Sequence, residues 1–416
     1  MRLRIRRILS SVAVVMMVVL GAAALAHGEP VLKDGDRMVF LGDSITQQQI
    51  YTRYVMNYFA LRHPEMEVEF RNAGVGGDTA VEAIERLRED VLDLRPDVVS
   101  ICFGMNDAGY TKFEEERYET FMAGMTVLLS EMKRIDAKAV LLTPGPVDPD
   151  KAAGWLDGKV YNETLARYAD GVKELGARKG LPVYDIYELL LDVQTRAKAD
   201  DPEFTMIPDA VHPSPPGQAL MAYALLKALG CEGQASGLEI DAATGEARAE
   251  RCAVEGLEVS ESEVRFTRRD EALPTYFDPE AAAVFEYAPI VEELNQYPLR
   301  VSGLRAGTWR LTVADEEVGT FSAEELAKGV NLATRPGPWR TLGKAANDSV
   351  ADQEEIYRQK RQFMGVFRWI SKLPAEAEAE KVALMEKLDE VVRMRERARA
   401  ELVGERTWEW RLVRVE

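Results

Sequence analysis

Residues 30–232 alternate between short apolar runs and longer segments in which apolar residues recur every three to four positions. The short runs predict buried strands at Met38–Leu41, Val68–Phe70, Val98–Phe103, Val140–Leu142 and Val183–Tyr184. The longer segments predict helices at Gln47–Arg62, Thr79–Leu94, Phe113–Arg134, Val160–Lys179 and Gly217–Leu229. Such alternation is typical of parallel strands joined by helical crossovers. It predicts a three-layer α/β domain, flavodoxin-like, with a parallel sheet of about five strands.

Residues 233–416 follow a different pattern, in which short runs alternate apolar and polar positions. Leu257–Ser260 and Val264–Thr267 are separated by three polar residues, which predicts a hairpin. Further strands are predicted at Leu299–Ser302, Trp309–Val313, Val318–Phe321 and Thr407–Leu412. A helical hairpin at about 350–403, broken at Pro374 and stopped at Gly404, precedes the last of these. We therefore predict a C-terminal β-sandwich-like domain with an inserted helical hairpin.

The first 26 residues have the layout of a secretory signal peptide. Four arginines precede an apolar run from Ile8 to Ala26, which ends in the small-residue site Ala24-Leu25-Ala26. We expect export to the periplasm or the outside of the cell after cleavage. The run is also long enough for an uncleaved membrane anchor, which is the alternative.

The net charge limits the classes of binding partner, and the cysteines limit the disulfide and metal sites that the chain can form. The formal charge is −18, and without the leader it becomes −22, from 48 basic and 70 acidic residues. Such an acidic chain is not expected to bind nucleic acid or anionic membranes. Cys102 lies in an apolar run and is expected to be a buried, inert thiol, whereas Cys231 and Cys252 either pair or stay free. The Cys and His spacings predict no metal site.

Polar and glycine residues follow the ends of the predicted strands. Ligands of parallel sheets bind beyond the carboxyl ends of the strands, so these residues are expected to meet at one edge. They are Gly42-Asp43-Ser44, the glycine-rich turn Asn72–Thr79, Gly104–Asp107, Thr143–Pro146 and, before the last helix, Asp209–Pro213. Each also has a purely structural interpretation, since Ser44 and Asn106 could cap helices and Asp209 could form a turn.

Together these residues supply the parts of a serine hydrolase. His212 is the candidate base for Ser44, because His27 lies at the predicted cleavage site and His63 in an exposed-looking turn. Asp209 could accept a hydrogen bond from His212 and fix its tautomer. The Ser44 N–H, the Gly77 N–H and the Asn106 amide could stabilise an oxyanion. The implied reaction is acyl transfer to water through an acyl-serine, which requires no metal or organic cofactor.

Gly42-Asp43-Ser44, Gly77, Gly104-x-Asn106-Asp107 and Asp209-x-x-His212 resemble the four blocks of the SGNH (GDSL-type) hydrolases. The resemblance covers roughly 36–230. It implies a nucleophilic Ser44, an oxyanion hole completed by Gly77 and Asn106, and a triad finished by Asp209 and His212. Gly74 and Gly76 compete with Gly77, which is chosen because it precedes Asp-Thr as in the family pattern.

The C-terminal domain resembles extensions of some exported bacterial members of that family, especially at 326–333. It holds five of the six tryptophans, namely Trp309, Trp339, Trp369, Trp408 and Trp410. A sugar-stacking platform is one interpretation of them, and we favour the other, ordinary core packing. The hairpin helices could pack internally or mediate oligomers, so the oligomeric state stays open.

The function expected from these features is an exported serine esterase that removes short acyl groups, acetyl above all, from a carbohydrate. Its partner would be a small acyl ester or an acylated carbohydrate, with no nucleic acid and no stable membrane contact after leader cleavage. The alternatives are a lipase or thioesterase of the same family, or a carbohydrate-binding protein whose hydrolase domain is vestigial.

Overall fold

The structure, a computed structural model, describes residues 31–368, 374–404 and 406–415. The predicted signal peptide, residues 1–26, and Trp369 lie outside these ranges. Within them, no helix combines the length and the apolar character that spanning a lipid bilayer requires.

Strands and helices alternate through the N-terminal region. In chain order the elements are β1 (Arg37–Gly42), α1 (Ser44–Gln47), α2 (Ile50–Arg62), β2 (Glu69–Gly74), α3 (Ala80–Asp90), β3 (Val98–Cys102), α4 (Glu115–Arg134), β4 (Lys138–Leu142), α5 (Gly158–Lys179), β5 (Val183–Tyr184), α6 (Ile186–Asp200) and α7 (Pro215–Ala228).

The sheet of this region has the order β2-β1-β3-β4-β5, and every neighbouring pair is parallel. This is the order of flavodoxin-like folds, so the predicted fold class is confirmed. The strands are apolar runs because helices cover both faces of the sheet; Met38, Val39, Phe40 and Leu41 are completely buried.

The N-terminal region differs from the predicted elements most at three places. The predicted helix Gln47–Arg62 begins instead at Ile50, because Gln49 adopts a left-handed backbone with φ 63° that separates it from the short helix α1. Helix α6 was not predicted, although Asp185 caps it by accepting a hydrogen bond from Glu188 N. Strand β2 runs on to Gly74, past the predicted end at Phe70, since Arg71 and Asn72 are polar yet buried. The break after α1 gives Ser44 a short helix of its own.

The C-terminal region contains strands, short helices and one long helical hairpin. Its elements are β6 (Gly237–Asp241), β7 (Glu246–Glu250), β8 (Cys252–Val259), β9 (Glu263–Asp270), α8 (Ile290–Leu294), β10 (Pro298–Ser302), β11 (Thr308–Val313), β12 (Glu316–Ser322), α9 (Ala323–Lys328), β13 (Val330–Asn331), α10 (Pro338–Arg368), α11 (Ala375–Val403) and β14 (Arg406–Arg414).

Two sheets of this region enclose one core, as a sandwich does. Their orders are β13-β10-β6-β7 and β12-β11-β14-β9-β8, and the last strand, β14, lies between β11 and β9. Trp309, Trp339 and Trp410 are at most 1% exposed in this core, so core packing is confirmed for them. Trp410 also stacks on Phe266 at 5.8 Å between ring centroids.

The core of the N-terminal region also takes in residues from beyond the predicted domain boundary at 232/233. Phe277, Val284 and Ile290 are buried with the side chains of the parallel sheet and its helices. Tyr54 and Arg53 of α2 both donate hydrogen bonds to Asp278, at 2.7 and 2.8 Å. The two regions are therefore joined by a shared packed interface.

The helical hairpin packs on the N-terminal region. Helix α10 begins at Pro338, twelve residues before its predicted start, and lies against α2 and the edge strand β2. Glu354 of α10 is buried there and accepts hydrogen bonds from Thr52 Oγ1 at 2.9 Å and Asn72 Nδ2 at 3.5 Å. The hairpin thereby covers the edge of the sheet that strand β2 would otherwise expose.

All three cysteines are free thiols. Cys102 is buried at the end of β3, as predicted. Cys231 and Cys252, which were expected either to pair or to stay free, do not form a disulfide. Cys252 instead donates to the carbonyl oxygen of Gly237 at 3.3 Å, and burial raises the pKa of the Cys231 thiol to about 12.

We expect the carboxyl group of Glu354 to make the free energy of unfolding vary with pH. Its burial raises the pKa of the carboxyl to about 8 from an ordinary 4.5. Between these pH values the folded state keeps a proton that the unfolded state has lost, so stability falls as the pH rises. Glu354→Gln is always neutral and should gain stability over wild type in this range, by up to about 1.4 kcal/mol per pH unit. Urea unfolding at pH 5, 7 and 9 measures the difference.

Glu355→Gln is the matched control, because Glu355 is on the same helix, 43% exposed and paired with Arg358. That ion pair lowers the pKa of Glu355, so its carboxyl is ionised throughout the tested range. Equal pH slopes for wild type and Glu354→Gln would contradict the proposed role of the buried carboxyl.

Candidate active site

Ser44 stands at the carboxyl edge of the sheet, two residues after β1 and at the first position of α1. Asp43 caps this helix by accepting a hydrogen bond from Ile45 N at 2.9 Å. The first N–H groups of a helix have no acceptor within it, so the N–H of Ser44 remains available to a ligand. The Ser44 side chain is partly exposed at this edge.

Ser44, His212 and Asp209 are joined by hydrogen bonds. Ser44 Oγ lies 2.9 Å from His212 Nε2, and His212 Nδ1 lies 2.7 Å from Asp209 Oδ2. The other oxygen of Asp209 accepts from the backbone N–H groups of His212 and Val211, at 2.7 and 3.0 Å. The turn that allows this has Ala210 at φ 77°. The structure thus brings these three predicted residues together.

The charge of Asp209 decides which nitrogen of His212 carries the proton. Burial opposes ionisation of Asp209, but the hydrogen bonds from His212 and Val211 outweigh it and lower the pKa of the carboxyl. An ionised carboxylate only accepts hydrogen bonds, so Nδ1 must donate. Nε2 is then the acceptor that faces the hydroxyl of Ser44. This is the tautomer that a base acting on Ser44 needs.

Asn106 lies in the turn after β3, and both the nitrogen and the oxygen of its side-chain amide form hydrogen bonds. Its Nδ2 donates to the carbonyl oxygen of Asp78 at 2.9 Å, and its Oδ1 accepts from the hydroxyl of Tyr110 at 2.8 Å. An amide nitrogen has two N–H donors, so one remains for a ligand. Tyr110 was not singled out from the sequence, although it follows Asn106 by four residues.

The glycine-rich turn after β2 brings Gly76 and Gly77 to the same edge. Gly77 has φ +83°, a left-handed conformation that favours glycine. A Cβ on Gly76 would lie 3.9 Å from Ser44 Cβ and 2.8 Å from Gln47 Oε1, so this turn passes directly beside Ser44. Gly76 thus lies next to Ser44, and the choice of Gly77 as an oxyanion donor remains a prediction.

Close contacts of backbone with backbone hold the turn that carries Ser44. A Cβ on Gly74 would lie 2.3 Å from Gln47 N, and one on Gly42 would lie 2.9 Å from the carbonyl oxygen of Cys102. Val75 N also donates to the carbonyl oxygen of Gly42 at 3.1 Å. The ends of β1 and β2 therefore approach α1 more closely than any side chain would allow.

Two arginines donate hydrogen bonds to the backbone carbonyl groups at the ends of β1 and β2. Arg86 of α3 is buried and donates to Ala73 O at 2.7 Å and Gly42 O at 3.2 Å. Arg361 of α10 donates to Asn72 O and Gly74 O at 3.1 and 3.0 Å. Asp90 pairs with both guanidinium groups, at 3.0 and 2.7 Å. The helical hairpin thus supports the loop that carries the candidate oxyanion glycine.

Buried carboxyls connect the loops of this edge. Asp107 accepts from Ala80 N at 2.8 Å and Gly104 N at 2.9 Å, which ties the start of α3 to the turn of Asn106. Burial raises the pKa of Asp107 to about 6 and that of Asp43 to about 7, and the repulsion between these neighbouring carboxylates adds to the shift of Asp43. Both carboxyls have positioning roles that the sequence did not reveal.

The site is open to solvent and adjoins a polar cavity. The side chain of Asp209 is 56% exposed and that of His212 30%. A cavity of about 410 Å³ lies between the starts of α3 and α4, and polar residues form most of its wall: Thr79, Asn106, Glu114, Glu116, Arg117 and Thr120. In the part of the chain that the structure describes, no group of His, Cys, Asp and Glu side chains is arranged to hold a metal ion.

We expect Gly74→Ala to lower the free energy of unfolding by about 1–3 kcal/mol, because its Cβ would meet backbone atoms that no rotamer change can move. Gly145→Ala is the control: Gly145 also follows a strand, and its Cβ would meet only Leu190 Cδ2, at 3.7 Å. Chemical denaturation of both variants measures the effect. An equal loss in the two would show that the close approach at Gly74 is not the constraint described.

Comparisons with known proteins agree with this geometry. Residues 40–220 match the model of the GDSL-like Lipase/Acylhydrolase family. Acetylxylan esterase from Geobacillus stearothermophilus is 25% identical over 224 residues, which are 48% of this chain and 95% of that protein. An uncharacterized lipoprotein, YqeF, from Bacillus subtilis (strain 168) is 32% identical over 82 residues, 19% of this chain and 34% of that protein.

The similarity to one solved structure extends beyond the parallel sheet. The structure of a gut microbial diltiazem-metabolizing enzyme has a TM-score of 0.81 at 27% identity, and the alignment covers 92% of this chain and 98% of that one. The sheet order, the motif blocks and these similarities together show that this chain carries, at residues 40–220, a domain of the GDSL-like lipase/acylhydrolase (SGNH) family, and that it is a serine ester hydrolase.

Proposed function

We propose that this chain is an exported esterase that removes short acyl groups, acetyl above all, from carbohydrates, with Ser44 as its nucleophile. The observation that carries the proposal is the hydrogen-bonded series Ser44–His212–Asp209 at the carboxyl edge of the sheet. A serine hydroxyl is a weak nucleophile, and a base in direct contact with it is the usual means of activation.

In the first half of the reaction, Ser44 Oγ attacks the carbonyl carbon of the ester while its proton passes to His212 Nε2. The imidazolium that forms is stabilised by Asp209, which accepts from Nδ1–H. The tetrahedral oxyanion lies among the N–H groups of Ser44 and Gly77 and the free N–H of Asn106. Collapse of this intermediate transfers the proton from His212 to the leaving alcohol and leaves an acyl-serine.

In the second half, water takes the place of the alcohol. His212 removes a proton from the water, whose oxygen attacks the acyl carbon, and the same donors stabilise the second oxyanion. The bond to Ser44 Oγ then breaks, Oγ regains its proton from His212, and a carboxylic acid leaves. The cycle needs only these residues and water.

Two observations support a carbohydrate ester as the substrate. The side chains of Asp209 and His212 are partly exposed, so a bulky alcohol group can reach Ser44. Most residues that line the cavity beside Asn106 are polar or charged, and their side chains can bind hydroxyl groups. The aligned relative from Geobacillus stearothermophilus acts, by its name, on acetylxylan.

Export and the domain boundaries are part of the same proposal. The arginine-rich, apolar residues 1–26 support a signal peptide, and the similarity of a short segment to a bacterial lipoprotein is consistent with it. We place the hydrolase domain at 30–232 and the C-terminal domain, with its hairpin, at 233–416.

Removing the triad residues tests the mechanism. We expect Ser44→Ala and His212→Ala to lose at least about 10³-fold in kcat on p-nitrophenyl acetate, because each removes a group that acts on the reacting atoms. A longer acyl ester assayed in parallel measures the chain-length preference. Circular dichroism and the unfolding midpoint of each variant establish that it still folds.

His63→Ala is the matched control for His212→Ala, since His63 lies at the end of α2 beside Glu65, away from Ser44. It should keep nearly wild-type turnover. Full activity in Ser44→Ala would exclude the acyl-serine mechanism, and a strong preference for the long acyl chain would favour a lipase.

The oxyanion donor on Asn106 gives a separate prediction. We expect Asn106→Ala to lower kcat by about 10²–10³-fold with little change in KM, because this donor acts on charge that develops only in the transition state. Asn162→Ala is the control, since the side-chain amide of Asn162, on α5, is also held by backbone groups, but these are the N–H and the carbonyl oxygen of Val147, in the loop after β4. A rise in KM without a fall in kcat would assign Asn106 to substrate binding.

A further inference from the structure

Trp155 is an exposed tryptophan in the loop between β4 and α5. Its side chain is 57% exposed, whereas Trp309, Trp339 and Trp410 are buried. The sequence gives a signal for it, since it is the one tryptophan outside the C-terminal domain and lies in a polar loop. An indole exposed to this extent, when these three are buried in the core, suggests a binding role.

A row of three aromatic rings connects Trp155 to the candidate oxyanion hole. The ring of Tyr110 lies 5.9 Å from Trp155 and stacks on Tyr161 at 5.2 Å, between centroids. Tyr161 is buried, and its hydroxyl donates to the carbonyl oxygen of Met105. The hydroxyl of Tyr110 donates to Asn106 Oδ1 at 2.8 Å. Trp155 is thus the exposed end of a row that contacts Asn106.

Backbone strain occurs in both loops that carry these rings. Ala153 and Gly154, immediately before Trp155, have φ 47° and 80°, and Tyr110 has φ 57°. Left-handed backbone is unfavourable for alanine and more so for a bulky residue such as tyrosine. Strained residues of this kind cluster at ligand-binding sites, where the surrounding structure holds them in place.

The loop of Trp155 also forms a hydrogen bond with the loop that carries His212, the candidate base. Asp148 is fully buried, and its N–H donates to the carbonyl oxygen of Ala210 at 3.0 Å. Its carboxylate accepts from Thr205 Oγ1 and Lys198 Nζ, both at 2.7 Å. The loop of Trp155 is therefore connected to both sides of the site, through Tyr110 to Asn106 on one and through Asp148 to the loop of Asp209 and His212 on the other.

From these observations we propose that Trp155 and Tyr110 form a subsite for the alcohol part of the substrate, and that a sugar ring stacks on the indole of Trp155. The apolar face of the ring would cover the exposed indole. Its hydroxyl groups would reach the polar cavity that also begins at Asn106. The proposal rests on the proposed function and deepens it, because it names the residues that select a carbohydrate ester over other acetates.

Kinetics on two acetates tests the subsite. Wild type, Trp155→Ala and Trp155→Phe are assayed on an acetylated xylo-oligosaccharide and on ethyl acetate, which has no ring. We expect Trp155→Ala to lower kcat/KM for the sugar ester about tenfold or more through a higher KM, and to change ethyl acetate less than about twofold. Trp155→Phe should restore part of the loss, because a phenyl ring also offers a flat apolar face.

Trp408→Ala is the matched control. Trp408 is a partly exposed tryptophan on β14 of the C-terminal sheet, so its removal should leave the ratio between the two esters unchanged. An equal loss on both esters in Trp155→Ala, or no loss on the sugar ester, would overturn the subsite. Phenyl acetate, assayed in parallel, tests for a site that takes aromatic rings instead, and a loss in Trp155→Ala on this ester without one on the sugar ester would also overturn the subsite.

A binding measurement separates this proposal from the proposed function. Ser44→Ala and the double variant Ser44→Ala/Trp155→Ala are titrated with the same acetylated xylo-oligosaccharide by calorimetry. Binding by the single variant that weakens about tenfold or more in the double variant supports the subsite, even if wild type shows no Ser44-dependent turnover. No binding by Ser44→Ala, or equal binding by both, overturns the subsite whether or not the esterase is active.

Discussion

The site depends on one steric constraint, the close approach of three backbone segments at the carboxyl ends of β1 and β2. Gly42 and Gly74 have no side chains, so α1 can lie against both strand ends. This contact fixes where Ser44 emerges, 2.9 Å from His212 Nε2 and beside the glycine-rich turn. The hydrogen bonds of Arg86 and Arg361 to the strand-end carbonyls then satisfy groups that such tight packing removes from water.

The elements that the sequence predicted well are those set by local pattern. Alternating apolar runs and helical segments led to the right fold class, with a parallel sheet of five strands, and Pro374 and Gly404 marked the limits of α11. The residues that follow the strands meet at one edge because topology alone brings carboxyl ends together. The burial of Glu354 and Asn72 could not be predicted in this way. Both are polar residues that the sequence alone would place in solvent, and contacts between distant segments of the chain bury them.

Tyr110, Trp155 and Arg361 were missed for a related reason. No spacing in the sequence marks these residues. The hydroxyl of Tyr110 orients an amide, the indole of Trp155 extends a row of rings, and the guanidinium of Arg361 binds carbonyl groups. Each acts through a neighbour that the fold supplies, as Tyr110 does through Asn106. Residues that carry the chemistry itself were easier to name, because few side chain types can act as nucleophile, base or oxyanion donor.

The contact of Arg361 with Gly74 has a consequence for the biogenesis of the protein. The two residues are 287 positions apart, so the turn beside Ser44 lacks this partner until residue 361 has left the ribosome. The parallel sheet can form earlier, since its strands end at Tyr184. The support that Arg361 gives to the loop of Gly77 is therefore complete only when nearly the whole chain is present, wherever it folds.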